Sequence, residues 1–481
     1  MMVSDMIFAY NCNFFSNALI LPFRARIMTI ALDISNFKNC IEDAKRAMLA
    51  NDFAPQDPTN YSQLRGRLEA SRNNLPPLYR ERFFQPYLNK LDQIGEQGFN
   101  SILIAGSDQA RLMLDIAQAI LQRGEGYNWA STDAFEEVVS DLYDGFLSAE
   151  DRRGIERPDK DIMPPLVKWG DPSSWIYTWP VDDETIEGFD VRAAIVNLPT
   201  SHAKSALLGW SALGHETAGH DIIHAYKGLR HELSRSVQDA LDKEKLKNGL
   251  PDYWSTRLDE TTSDILGILN MGPMLGLGII GYFRALNDVR RREPKLSNIG
   301  DPRDVHPAHI LRGYLASFTV KLLRFKGADN WSRIIRSETD KDLSNIVLEG
   351  NEVNSDEVIR SAEIVASTIF NTKFESLDNH ALGEIQNWHD YDEEIVQKLI
   401  PSITSMEPLS GDIPLEGIYA AHVVAASIEA ALSKDADITY IFNRMINILK
   451  DMHSKNPTWG PLFVRHPGNV TRHFFSYDME V

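Results

Sequence analysis

The stretch GHETAGHDIIH, Gly214 to His224, places His215, Glu216, His220 and His224 close together in a chain that has 13 histidines. Imidazoles and carboxylates are ligands for zinc and related ions, and a carboxylate beside a ligand can act as a general base. The usual metal-binding helix reads His-Glu-x-x-His, with its histidines four apart. On an α-helix, residues four apart differ by about 40° around the axis and residues five apart by about 140°. His215 and His220 are five apart, so on a regular helix they diverge. A π-type turn around Thr217 to Gly219 would return them to one face, and such turns tend to sit at functional sites. Gly219 is the residue there that most easily tolerates distortion.

A catalytic zinc site needs a third protein ligand and an open position. DETTSDILG, Asp259 to Gly267, sets Glu260 and Asp264 four apart, on one helix face. Glu260 is the expected third ligand. Asp264 is placed to accept the other ring N–H of a ligand histidine, which fixes its tautomer. His215, His220 and Glu260 would then hold one zinc ion per chain. Glu216 would take a proton from the activated water and pass it to a leaving amine. His224, one turn past His220, either supports the site or is a polar residue on the helix flank. His202 and His231 read as solvated or capping residues.

Both motifs carry a resemblance. DETTSDILG resembles the third-ligand helix of thermolysin-like peptidases, matching it at Glu260, Ser263, Asp264, Ile265 and Gly267. HETAGH is similar to the helix of the dipeptidyl peptidase III family, which has the same one-residue insertion. Over roughly residues 190 to 310 the chain resembles the glutamate-zincin clan of metallopeptidases. That resemblance implies a zincin-like core and hydrolysis of a peptide or small protein. It also implies a downstream histidine, His306 or His309, and an upstream tyrosine, Tyr253, that stabilise the charged intermediate. Arg312, one turn past His309, would orient a ligand or a substrate carboxylate. In this clan a strand before the metal helix pairs with extended substrate. The run VRAAIVNLP, with Asn197 near its end, holds that position, and an internal core strand is an equal reading of it.

Two other readings use the same letters. His220-Asp221 is an HD pair, as in helical HD phosphohydrolases, with Asp304, His306 and His309 as further ligand candidates. A zincin-like scaffold that only binds a partner is the third reading, against which the general base Glu216 argues.

The chain has 481 residues and a formal charge of -19, with 68 acidic and 49 basic residues. An acidic surface disfavours nucleic acid as a partner. Two cysteines, Cys12 and Cys40, exclude a disulfide framework and a cysteine-based zinc site, and point to a cytoplasmic setting. The apolar stretch before Arg24 and Arg26 lacks the charge order of a secretory signal. Ile265 to Phe283 is uncharged, but Gly272-Pro273 interrupts it, so it is expected to be a buried, broken helix rather than a membrane span.

Hydrophobic periodicity predicts a mainly α protein with a small α/β centre, a zincin-like core between helical lobes. Residues 1–34 form an expected disordered extension and 35–150 an N-terminal helical lobe. Residues 151–300 make the metal-binding core and 301–481 a C-terminal helical lobe. Within the core, the Pro- and Gly-rich 151–174 is expected to be a linker or loop. WIYTWPV (175–181) and VRAAIVNLP (191–199) are the expected strands.

Overall fold

A computed structural model of the chain describes residues 32–147, 163–172, 174–246, 249–405 and 418–459. Most of the N-terminal extension, residues 151–162 of the expected linker and the C-terminal YDMEV lie outside them. The protein is mainly helical, with small mixed sheets. The described residues from Ile34 onward form one compact unit.

The helices that matter for the site are α1 (Asp108–Gly124), α2 (Trp129–Leu147), α3 (Leu258–Met271), α4 (Pro273–Arg291) and α5 (His309–Lys321). The break between α3 and α4 falls at Gly272, as the sequence suggests. Gly272 has φ +67, and the ring of Trp388 lies where its Cβ would be. Among the described residues no helix is long and apolar enough to cross a membrane.

The main sheet corrects the expected linker. It contains strand β1 (Met163–Gly170), beside β2 (Tyr177–Trp179) and β3 (Ala193–Pro199), in the order β1-β3-β2. β1 runs parallel to β3, with Leu166 opposite Ile195, and β2 runs antiparallel, with Tyr177 opposite Asn197. Pro164 and Pro165 disguise β1 in the sequence. An edge strand tolerates them because its outer N–H groups need no ladder partner. The side-chain amide of Gln122 takes the partner's role further along, accepting from Trp169 N at 2.7 Å and donating to Trp169 O at 2.8 Å.

β3 is the middle strand, with both edges occupied, so it cannot add a substrate strand. Asn197 is fully buried and donates to Trp175 O at 2.7 Å. It therefore holds the segment leading into β2 rather than a substrate. The outer edges of β1 and β2 both lack a strand partner among the described residues, and Gln122 occupies part of that of β1. His202, expected to be solvated or capping, is fully buried, whereas His231 is exposed.

Candidate metal centre

The motif forms a π-helical segment, Gly214–Asp221, followed by a short α-helix, Ile222–Ala225. Its widened turn carries residues five apart onto one face. The rings of His215 and His220 meet edge to face, with centroids 4.8 Å apart. The segment lies against α3 through small residues. A Cβ on Gly219 would be 2.5 Å from Ser263 Cα, and one on Gly267 would be 3.0 Å from Gly214 C. The small residues are five apart on the π segment and four apart on α3. The two contacts therefore match only because the segment is π rather than α.

This seating brings His215, His220 and Glu260 together as a buried group that could hold a metal ion. His215 Nε2 is 3.1 Å from Glu260 Oε2, His220 Nε2 is 3.4 Å from Glu260 Oε1, and the two Nε2 atoms are 3.2 Å apart. Tetrahedral ligands at about 2.0–2.1 Å from zinc are separated by about 3.3 Å, so the spacing fits. The donor chemistry also fits. His215 Nδ1 lies 2.9 Å from Asp264 Oδ1 and His220 Nδ1 lies 3.4 Å from Asp259 Oδ1. Hydrogen bonding to Asp264 assigns the His215 proton to Nδ1, which turns its Nε2 lone pair inward, and the Asp259 carboxylate near His220 Nδ1 favours the same tautomer there. Glu260 Oε2 is buried without a hydrogen-bond partner. Three acceptors thus converge where a cation would satisfy all of them.

Without a metal, charge balance falls on protons. Burial opposes charge on His215 and His220, but the carboxylates of Asp264, Glu260 and Asp259 outweigh it and raise both pKa values. Burial likewise opposes the Glu260 carboxylate, and the two histidines overcome this and lower its pKa well below the ordinary value.

Arg312 grips Asp264 with two bonds of 2.7 Å, from Nε and Nη2. Its guanidinium is therefore committed to a ligand's support rather than to a substrate carboxylate, although it also borders the cavity described next. Against the cost of burial, Arg312 keeps Asp264 ionised.

A cavity of about 480 Å³ opens beside the group and is lined by His215, Glu216, His306 and His309. Glu216 is buried, and desolvation raises its pKa above the ordinary carboxylate value despite His215 and His220 nearby. His306 is half exposed. Its Nε2 is 3.3 Å from Glu260 Oε1 and its Nδ1 is 2.7 Å from Asp304 Oδ1. His309 is instead stacked on Phe283, centroids 4.0 Å apart, and its Nδ1 accepts from Asn287. Burial pushes its pKa down to about 3, so the ring is neutral.

Tyr253 does not reach the cavity. Its hydroxyl accepts from Ala308 N at 2.9 Å, and Arg257 covers its ring, so it anchors the loop that carries His306. Asp221 also turns away from the ligand group, accepting from Thr178 Oγ1 at 2.9 Å. The His220-Asp221 pair therefore does not converge as HD ligands must.

Two residues at the site were not singled out by sequence reasoning. Asp259 bridges His220 to His224, whose Nε2 is 3.1 Å from Asp259 Oδ2. The four-residue spacing of His220 and His224 was the available signal. Tyr282 of α4 lines the cavity near enough to Glu216 to feel its charge. Nothing in its sequence context marks it.

No protein-family model, curated protein or solved structure matches the chain.

Proposed function

We propose that the chain is a zinc-dependent peptidase in which His215, His220 and Glu260 hold the metal and Glu216 is the general base. The observation that carries this reading is the 3.1–3.4 Å spacing of three inward-facing acceptors beside a carboxylate whose pKa is raised. A zinc ion held there would supply a Lewis acid that acidifies water and polarises a carbonyl. Glu216 is adjacent in sequence to His215 and borders the cavity. It would take the proton from water and deliver it to the leaving amine, a task suited to a carboxyl with a raised pKa. His306, half exposed and oriented by Asp304, would donate to the oxygen on which charge develops. The free edge of β2 would pair with the backbone of a peptide or small-protein substrate.

The test is hydrolysis of a quenched fluorescent peptide library by the full chain. Cleavage that chelation removes and stoichiometric zinc restores is the expected result. A zinc-loaded chain that cleaves nothing would overturn the reading.

A further inference from the structure

Arg111 and Arg290 line the same cavity as His215 and Glu216, from two different helices, α1 and α4. Both are exposed. Neither has a carboxylate within ion-pair distance among the described residues. That sets them apart from Arg257, Arg284 and Arg312, each of which is matched to an acid. In a chain with 68 acidic and 49 basic residues, two unmatched arginines at one cavity are unexpected.

Each guanidinium lies over aromatic faces. Arg290 Cζ is 3.3 Å from the ring centroid of Trp175, and Arg111 Cζ is 4.5 Å from that of Tyr177 and 5.6 Å from that of Trp179. Stacking holds each charged plane in place; Arg111 also donates to the Tyr177 hydroxyl, and each guanidinium keeps further N–H donors for a planar anion. Trp175 and Tyr177 are two residues apart, so their Cα atoms are at most about 7 Å from each other. The two cations are thus carried by neighbouring rings. Neither acid on the cavity wall lies within ion-pair distance of them, although the charge of Asp304 reaches Arg290. Asp304 is bonded to the ring and backbone N–H of His306, and Glu216 lies at the ligand group.

We propose that the cavity takes substrates bearing a carboxylate, held by Arg111 and Arg290. This rests on the peptidase reading only in taking the carboxylate to belong to a peptide, either its C-terminus or an acidic side chain. A peptide paired along the free edge of β2 would pass Trp175 and Tyr177, which present these cations. The overall charge of -19 repels anions at long range, so the preference must arise from short contacts in the cavity.

The test uses the zinc-loaded full chain with Glu216→Gln, which allows binding to be read without turnover. Three fluorescent peptides of one sequence are titrated: capped and neutral, with a free C-terminus, and amidated with one glutamate. At least one carboxylate peptide should bind about tenfold or more tightly than the neutral one, and which one does so identifies the source of the carboxylate. Arg111→Met and Arg290→Met should each remove about tenfold of that affinity and leave the neutral peptide unaffected. Equal binding of all three peptides would overturn the proposal. So would a preference that survives in the double variant, because the carboxylate would then be bound to the metal instead. A dansyl-labelled dicarboxylate separates this idea from the peptidase reading. If its binding depends on both arginines while no peptide is bound or cleaved, the carboxylate site stands and the peptidase reading falls. If wild-type chain cleaves neutral and acidic peptides equally well, the peptidase reading stands and this proposal falls.

Discussion

Gly219 passes so close to Ser263 that a Cβ at position 219 would lie 2.5 Å from both the Cα and the Cβ of Ser263. The contact joins the helix of the two histidines to the helix of Glu260. A side chain there must push the helices apart, and the ligands would separate with them. Alanine normally stabilises a helix interior relative to glycine by about 1 kcal/mol. At position 219 the sign should reverse, with a cost of about 1–3 kcal/mol from overpacking. Gly219→Ala should also weaken zinc binding. Gly66→Ala is the control, since nothing lies within 4 Å of a Cβ there, and it should stabilise slightly. Urea denaturation and zinc titration of both variants check this. A Gly219→Ala chain that is as stable as wild type and binds zinc as well would sink the argument.

Metal content is expected to be one zinc per chain. His220→Ala removes one of three protein ligands and should lose most of the affinity. Elemental analysis after dialysis decides: full occupancy in the variant would remove His220 from the ligand set.

Glu216→Gln nearly preserves shape but cannot accept a proton. It should keep the metal and lose hydrolysis. An active, zinc-loaded variant would assign the base elsewhere.

Asp264 is buried between His215 and Arg312. Asp264→Ala should weaken metal binding by about 10–100-fold without removing a ligand. Arg312→Met leaves the Asp264 charge buried without its cation, at about 3–5 kcal/mol. Removing both groups should destabilise less than Arg312→Met alone. A double-mutant cycle in urea tests this, and purely additive effects would mean that the pair is not coupled in the way its geometry suggests.

How much of this the sequence revealed depended on the range of each contact. The predominance of helix was readable because helical periodicity is local. So was the break at Gly272-Pro273. The convergence of His215, His220 and Glu260 was readable because two short motifs each encode a helix face. The π geometry could be inferred from one surplus residue. The sequence did not reveal why Gly219 is a glycine, since the reason is Ser263 on another helix rather than backbone freedom. Asn197, Tyr253 and Arg312 were placed by analogy of position. Their side chains are committed to Trp175, Ala308 and Asp264, partners that only the tertiary structure supplies. β1 was missed because prolines masked an edge strand. His202 was misread because no local pattern marks a histidine enclosed by distant elements.

That buried His202 gives a pH prediction independent of the metal. Its ring packs against Gly209 and Tyr282, and its Nε2 has no hydrogen-bond partner. Burial pushes its pKa down from 6.5 to about 3. In the folded chain the ring is therefore neutral at ordinary pH, whereas in the unfolded chain it gains a proton below about 6.5. Between these values the unfolded state binds the extra proton, so stability falls as pH falls. The contribution is fully present above pH 6.5 and is lost progressively towards pH 3. His202→Gln removes this titration, whatever the substitution costs in packing. Between pH 7.5 and 5.0 the wild-type chain should lose about 2 kcal/mol more stability than the variant, which is about 1.4 kcal/mol for each pH unit below 6.5. Urea midpoints of both proteins at the two pH values measure the difference. Parallel losses would show that the imidazole takes up its proton in the folded state, which its enclosure by Gly209 and Tyr282 should prevent.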